Sequence, residues 1–193
     1  METEKKTDPR VRRTRKWLQN ALVSLMQEKP FEKIQIKEIT TRADLSRPTF
    51  YMHYQSKLDL LTDYFDTIFI DYFDELKTAA AANEVARGVV PSLAFHHWKE
   101  QRESILLLKE AGLEFVFLRR LQEHMFWLVE FLVERDFLKP PKEDFRDYYH
   151  DFISGGVFLV VSRWLEEGCT HSPEVMADIV VELLGGLVIP PQQ

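Results

Sequence analysis

Residues 34 to 60, IQIKEITTRADLSRPTFYMHYQSKLDL, contain two short helical patterns joined by a break at Asp44-Leu45-Ser46. This spacing leaves few ways to fold. Ile36, Ile39 and Ala43 recur at i, i+3 and i+7, which gives a helix over residues 37 to 43 one buried stripe. Asp44 suits a turn because Asp tolerates left-handed backbone better than most residues, and Leu45 can fill the gap between the helices. Ser46 is a good N-cap for a second helix with Pro48 in its first turn, where a missing amide hydrogen costs nothing. In that helix Phe50 and Tyr54 share one face, leaving Arg47, Thr49, Tyr51, Met52 and His53 to point elsewhere.

A short helix that presents Arg, Thr, Tyr and His outward, docked across a tight turn on a preceding helix, can place side chains in a major groove. Arg47 matches guanine bidentately, Thr49 a base edge or thymine methyl, and Tyr51, His53 and Lys57 phosphates. Ser56-Lys57-Leu58-Asp59 reads as a capping box opening a long helix, and a helix N-terminus beside a lysine is an anion site. With Lys37 and Thr40 on the first helix and Pro48 and Met52 on the second, these residues form the candidate DNA-binding set.

At these residues the chain resembles the N-terminal domain of the TetR/AcrR family of bacterial transcriptional regulators. The likeness is carried by Phe31-Glu-Lys-Ile34, Ile36-Lys-Glu-Ile39, Ala43-Asp-Leu-Ser46, Thr49-Phe-Tyr51, His53-Tyr54 and Lys57-Leu-Asp-Leu-Leu61. A weaker likeness to the C-terminal domain of one branch runs from Gly155-Gly156 through Trp164-Leu-Glu-Glu-Gly168. Two positions depart from the pattern: Gln35 stands where the family usually has a small capping hydroxyl, and Asp44 where glycine is commonest. The resemblance implies a dimeric DNA-binding regulator whose C-terminal domain takes small effectors.

Charge distribution supports a binding head. The net charge is −6, but residues 1 to 57 hold 13 Lys or Arg against 7 Asp or Glu, a net +6, and the remainder hold 12 against 24, a net −12. Basic charge thus lies where the groove-reading helix is, while the acidic body is repelled by phosphate. A hydrophobic content of 45% in 193 residues allows a sizeable core. The single Cys169 excludes an internal disulfide framework, and no Cys/His spacing suggests zinc. The charged start METEKKTDPR does not read as a signal or anchor, and no apolar run is long enough to span a bilayer. The expectation is a soluble cytoplasmic protein with no membrane segment, no metal and no cofactor.

Taken in order, Met1 to Asp8 read as a polar arm and Pro9 as a helix starter. Thr14, Leu18, Ala21, Leu22 and Leu25 follow at helical spacing, leaving Arg10, Arg12, Arg13 and Lys16 outside. Lys29-Pro30 ends that helix. Phe31 and Ile34 are placed in the head's small core. From Ser56 to about Ala82 no Gly or Pro interrupts, so one rod is expected to run from head to body and to carry motion between them. Further helices are expected within residues 85–98, 103–109, 113–135, 142–168 and 173–187. No alternating strand pattern occurs. The fold class is therefore all-α: a three-helix helix-turn-helix domain over residues 1–55 and an antiparallel helical bundle over 56–193 for effector binding and dimerisation.

Within the body, Phe95, Trp98, Phe117, Met125 and Phe126 are candidate pocket residues, with His96, His97 and His124 as possible polar contacts. Phe152, Gly155, Gly156 and Leu159 fall near one stripe where a partner helix can approach closely, and Trp164 is a candidate anchor of a two-fold interface. A symmetric pair would read a near-palindromic site. An enzyme of the di-iron bundle type would need repeated Glu-x-x-His pairs, and Asp147-x-x-His150 is the only near miss. The reading is a repressor released by a small apolar or amphipathic effector. A regulator with a protein partner or an activating output is the alternative.

Overall fold

The computed structural model describes residues 8–81, 88–135 and 138–186. Among these every regular element is helical: α1 (Pro9–Glu28), α2 (Ile36–Arg42), α3 (Arg47–Tyr51), α4 (Lys57–Ala81), α5 (Val89–Glu100), α6 (Arg102–Glu110), α7 (Glu114–Val133), α8 (Arg146–Glu166) and α9 (Pro173–Gly186). Short 3-10 turns at Phe31–Lys33 and Glu143–Phe145 precede α2 and α8. The expected arm from Met1 to Thr7, residues 82–87 around the end of the rod and Leu187 lie outside the described residues. Asp8 is no part of a loose arm: its carboxylate accepts from the amide of Arg10 at 2.8 Å and so caps α1.

The chain divides into two compact units, one up to Asp66 and one from Thr67 onward. The division lies inside α4, further along than the break in sequence pattern at residues 55 and 56. The reason is packing: Leu60 and Leu61 of the first turns of α4 are fully buried, with Leu18, Leu22, Ile39 and Phe50, in the core of the head. Each such side chain removed from water contributes ~1.5–3 kcal/mol of transfer free energy. The capping box that opens α4 is slightly displaced. The Ser56 hydroxyl accepts from the Asp59 amide at 3.1 Å, while the Asp59 carboxylate reaches the amide of Gln55 at 3.0 Å, one residue before the cap.

In the second unit α5 packs most extensively on α9 and α7 on α8. Phe95, Leu108, Phe117, Leu121, Val161, Trp164 and Leu165 form the centre of its core. Gly112 closes α6 in the left-handed conformation (φ 65°), which lets Leu113 return its amide to the carbonyl of Leu108 at 2.8 Å. No described helix is long and apolar enough to cross a membrane.

Candidate nucleic-acid interface and interior cavity

The turn between α2 and α3 is built from local hydrogen bonds. Asp44 takes φ 54°, and the amide of Leu45 returns to the carbonyl of Thr40 at 2.9 Å, closing α2. Ser46 caps α3: its hydroxyl accepts from the Thr49 amide at 3.2 Å and lies 2.8 Å from the Thr49 hydroxyl. At the other end of α2 the missing hydroxyl cap is offset by Glu38, whose carboxylate accepts from the Gln35 amide at 2.9 Å. Phe50 and Tyr54 are buried, as their shared face requires. Consequently Arg47, Pro48, Tyr51 and Met52 are exposed, Met52 at 80%, and Thr49 and His53 are half-buried. Lys37 is exposed on α2, and Arg10, Arg12, Arg13 and Lys16 are exposed on α1.

Two members of the sequence-derived set are placed differently. Thr40 is buried, and its hydroxyl donates to the carbonyl of Lys37 at 3.0 Å, so it offers nothing to a phosphate. Lys57 does not present its ammonium to an anion. Its Nζ donates to the carbonyls of Phe31 (2.6 Å), Glu32 (3.0 Å) and Ile34 (2.9 Å) and sits 4.6 Å from the Phe31 ring centroid. An ammonium has three hydrogens, and all three are engaged. Burial lowers the Lys57 pKa, with Glu32 opposing the shift.

A residue not anticipated from the sequence ties the head together. The Asp63 carboxylate on α4 accepts from Tyr54 Oη at 2.5 Å, Gln19 Nε2 at 2.8 Å and Arg15 Nε at 3.1 Å, and Arg15 pairs with it a second time through Nη2. Helix α1, the end of α3 and the start of α4 thus meet at one carboxylate. Burial raises the Tyr54 pKa, against the pull of Arg15, so its hydroxyl remains a donor. Other basic residues are neutralised within the head: Arg42 grips Glu28 through two bonds of 2.5 and 2.8 Å, and Lys29 pairs with Glu38.

The second unit holds a cavity of about 460 Å³. Helix α4 contributes Ile68, Phe69, Tyr72 and Phe73; α5 contributes Phe95, His97 and Trp98; α7 contributes Leu121, His124, Met125 and Leu128. Tyr149 and Ile153 of α8 and Val180 of α9 are also among the lining residues. Its polar groups are few. Tyr72 donates to the carbonyl of Val90 at 3.3 Å, His97 Nε2 lies 2.7 Å from Glu75, and the His124 ring stacks on Phe69 with centroids 4.1 Å apart. Of the expected pocket residues, Phe95, Trp98 and Met125 line it and two do not. Phe117 is fully buried against Phe158 and borders a smaller hollow of about 190 Å³, and Phe126 is an exposed residue of an outer depression. His96 pairs with Glu174 outside the cavity. The α4 wall was not anticipated because that stretch was read as a rod; its residues 68, 69, 72, 73 and 76 do carry the helical spacing of a buried face.

Helix α8 is apolar on both sides. Ile153, Val157, Val161 and Trp164 are buried, whereas Phe152 (60% exposed) and Leu159 (67%) face outward with Tyr148. Trp164 is thus no interface anchor: it is buried in its own chain, and its indole donates to the carbonyl of His171 at 3.0 Å. A Cβ placed on Gly155 or Gly156 would meet nothing within 4 Å, so the space over both glycines is open. Val175, Ile179 and Leu183 form a second exposed apolar stripe on α9. In the first turns of α8, His150 is buried with neither ring nitrogen hydrogen-bonded among the described residues, its ring 4.8 Å from Phe126. Burial and then Arg146 lower its pKa, against Glu130, Asp147 and Asp151.

These two units define a helix-turn-helix protein with an all-helical, cavity-bearing body. Residues 19–64 match the family described as bacterial regulatory proteins, tetR family, and residues 92–186 match a transcriptional regulator C-terminal region. The HTH-type transcriptional regulator YxbF of Bacillus subtilis is 31% identical over 193 residues, covering 95% of this chain. The chain spans about half the length of that curated relative, 47%. Two solved structures share the fold. The dihydroxyacetone kinase operon activator DhaS aligns with a TM-score of 0.60 at 17% identity, over 91% of this chain and 96% of its own. FadR of Bacillus subtilis, in complex with stearoyl-CoA, aligns at 0.56 and 16% identity, over 88% and 96%. The chain belongs to the TetR family of bacterial regulatory proteins.

Proposed function

We propose that the chain is a DNA-binding transcriptional regulator that acts as a homodimer on a near-palindromic site and leaves it when a small, largely apolar effector occupies the body cavity. The observation that carries this reading is α3 itself. Its inner side is locked by Phe50 and Tyr54, so that Arg47, Pro48, Tyr51 and Met52 stand outward on a short capped helix. Arg47 and Thr49 then read bases, with Tyr51 and His53 on the flanking backbone. Lys37, Arg10, Arg12, Arg13 and Lys16 supply phosphate contacts.

The open glycines and bare apolar stripes of α8 and α9 support a two-fold partner at that face. The apolar cavity supports a small effector, and the FadR neighbour carries stearoyl-CoA. Helix α4 contributes both to the head core and to the cavity wall, which makes it the element through which occupancy acts. An effector shifts the equilibrium only by its difference in affinity between the DNA-competent and incompetent states. The sign of the output is a separate matter, since the DhaS neighbour is named as an operon activator. The chain is read as a regulator without enzymatic activity, working in the cytoplasm where its DNA target lies.

Selection of genomic fragments by the purified protein, followed by fluorescence anisotropy on the enriched site, tests the reading. The expected result is a symmetric site bound with a steep salt dependence. Absence of any enriched sequence would refute it. A reporter driven from that site then gives the sign of the output.

A further inference from the structure

The cavity wall is unusual for what it lacks. Among its described lining residues there is no Lys, Arg, Asp or Glu. Behind the wall the Glu75 carboxylate is matched to the wall residue His97. Two hydrogen-bond donors on the wall have no partner among the described residues: the hydroxyl of Tyr149, which is half-buried, and the indole N–H of Trp98, which is 7% exposed as a residue. An indole nitrogen can only donate. Burial raises the Tyr149 pKa, so the phenol also keeps its proton at neutral pH. Donors left open in an apolar enclosure call for an acceptor on whatever fills it.

We propose that the cavity takes an uncharged, mainly hydrocarbon ligand bearing one acceptor oxygen, such as a ketone, ether or alcohol, with Tyr149 as its principal donor. This rests on the reading of the cavity as the effector site. It separates this chain from a regulator of acyl-CoA or free fatty acids. Among the described lining residues an ionised carboxylate or a phosphate-rich head group would find no lysine or arginine to receive it, only His97, already held by Glu75, and His124, stacked on Phe69. A cationic amphiphile would find aromatic faces but no free anion among the described lining residues.

Isothermal titration calorimetry on the full chain without DNA, at about pH 8 so that an added carboxylic acid is ionised, compares decanone, decanoate, decyltrimethylammonium and decane. Decanone is expected to bind at least about tenfold more tightly than either charged probe, the discrimination that an unpaired buried charge imposes. In Tyr149→Phe the ratio of decanone to decane affinity is expected to fall about fivefold, the loss of one hydrogen bond. Because decane needs no donor, that ratio stays informative even if the variant packs less well. Failure of decanone to bind, equal or tighter binding of either charged probe, or an unchanged ratio in Tyr149→Phe would each overturn the proposal. Decanone that binds yet leaves DNA affinity untouched would count against the cavity as a control site and not against its ligand class.

Discussion

The ammonium of Lys57 illustrates how a cation in a basic head can belong to the fold and not to the ligand. Its three carbonyl partners lie in the loop ahead of α2, more than twenty residues away in the chain, so no local pattern betrays them. Lys57→Met leaves them without a donor. A loss of ~1–3 kcal/mol in stability is expected by denaturant titration, with the salt dependence of DNA binding unchanged. Arg47→Ala should do the reverse. Stability holds while affinity for the selected site drops by ~1–3 kcal/mol and one base position relaxes, as a set of single-base variants of the site would reveal. His150 gives a third contrast. Its folded pKa is below the ordinary histidine value, so down to about pH 6.5 both states are neutral there. Below that, the unfolded chain takes up a proton that the folded chain resists, and stability falls until the folded pKa is passed. Melting temperature should therefore drop on acidification from about pH 7.5 to 5.5. His150→Phe should drop less.

At the scale of elements, the helix-turn-helix was legible because its signals are local: an Asp at a left-handed turn, a Ser cap, and a proline where no amide is needed. Asp44→Gly is accordingly expected to be neutral or slightly stabilising in thermal melts, and Asp44→Val to cost at least ~1 kcal/mol at φ 54°. The outward face of α8 was only half legible. Apolar residues surround that helix, so periodicity cannot separate a residue buried in its own chain, Trp164, from one turned outward, Leu159. Phe152 and the glycines stand out in sequence because small residues beside large ones mark a surface open to close approach, whereas the exposed α9 stripe of Val175, Ile179 and Leu183 carries no such sign. Leu159→Glu should shift the sedimenting species toward monomer and weaken binding to a full site. An unchanged sedimentation coefficient would count against this face as the proposed interface.

Considered whole, the molecule separates its charges along the chain, with a basic first unit and an acidic remainder, and places an apolar enclosure in the acidic part. The fold class was readable because turn residues and helical periodicity recur at every junction. The cavity was less so, because a wall made of many helices depends on which rings turn inward, and that is decided by tertiary packing: Phe95, Trp98 and Met125 line it, while Phe117 is drawn into core contacts and Phe126 is left outside. The uncharged ligand class proposed for this cavity has a physiological corollary. Molecules of that class dissolve in lipid and cross a bilayer unaided. A cell using such a sensor would need no importer to hear its signal, and the concentration reported to the chromosome would follow that in the surrounding medium.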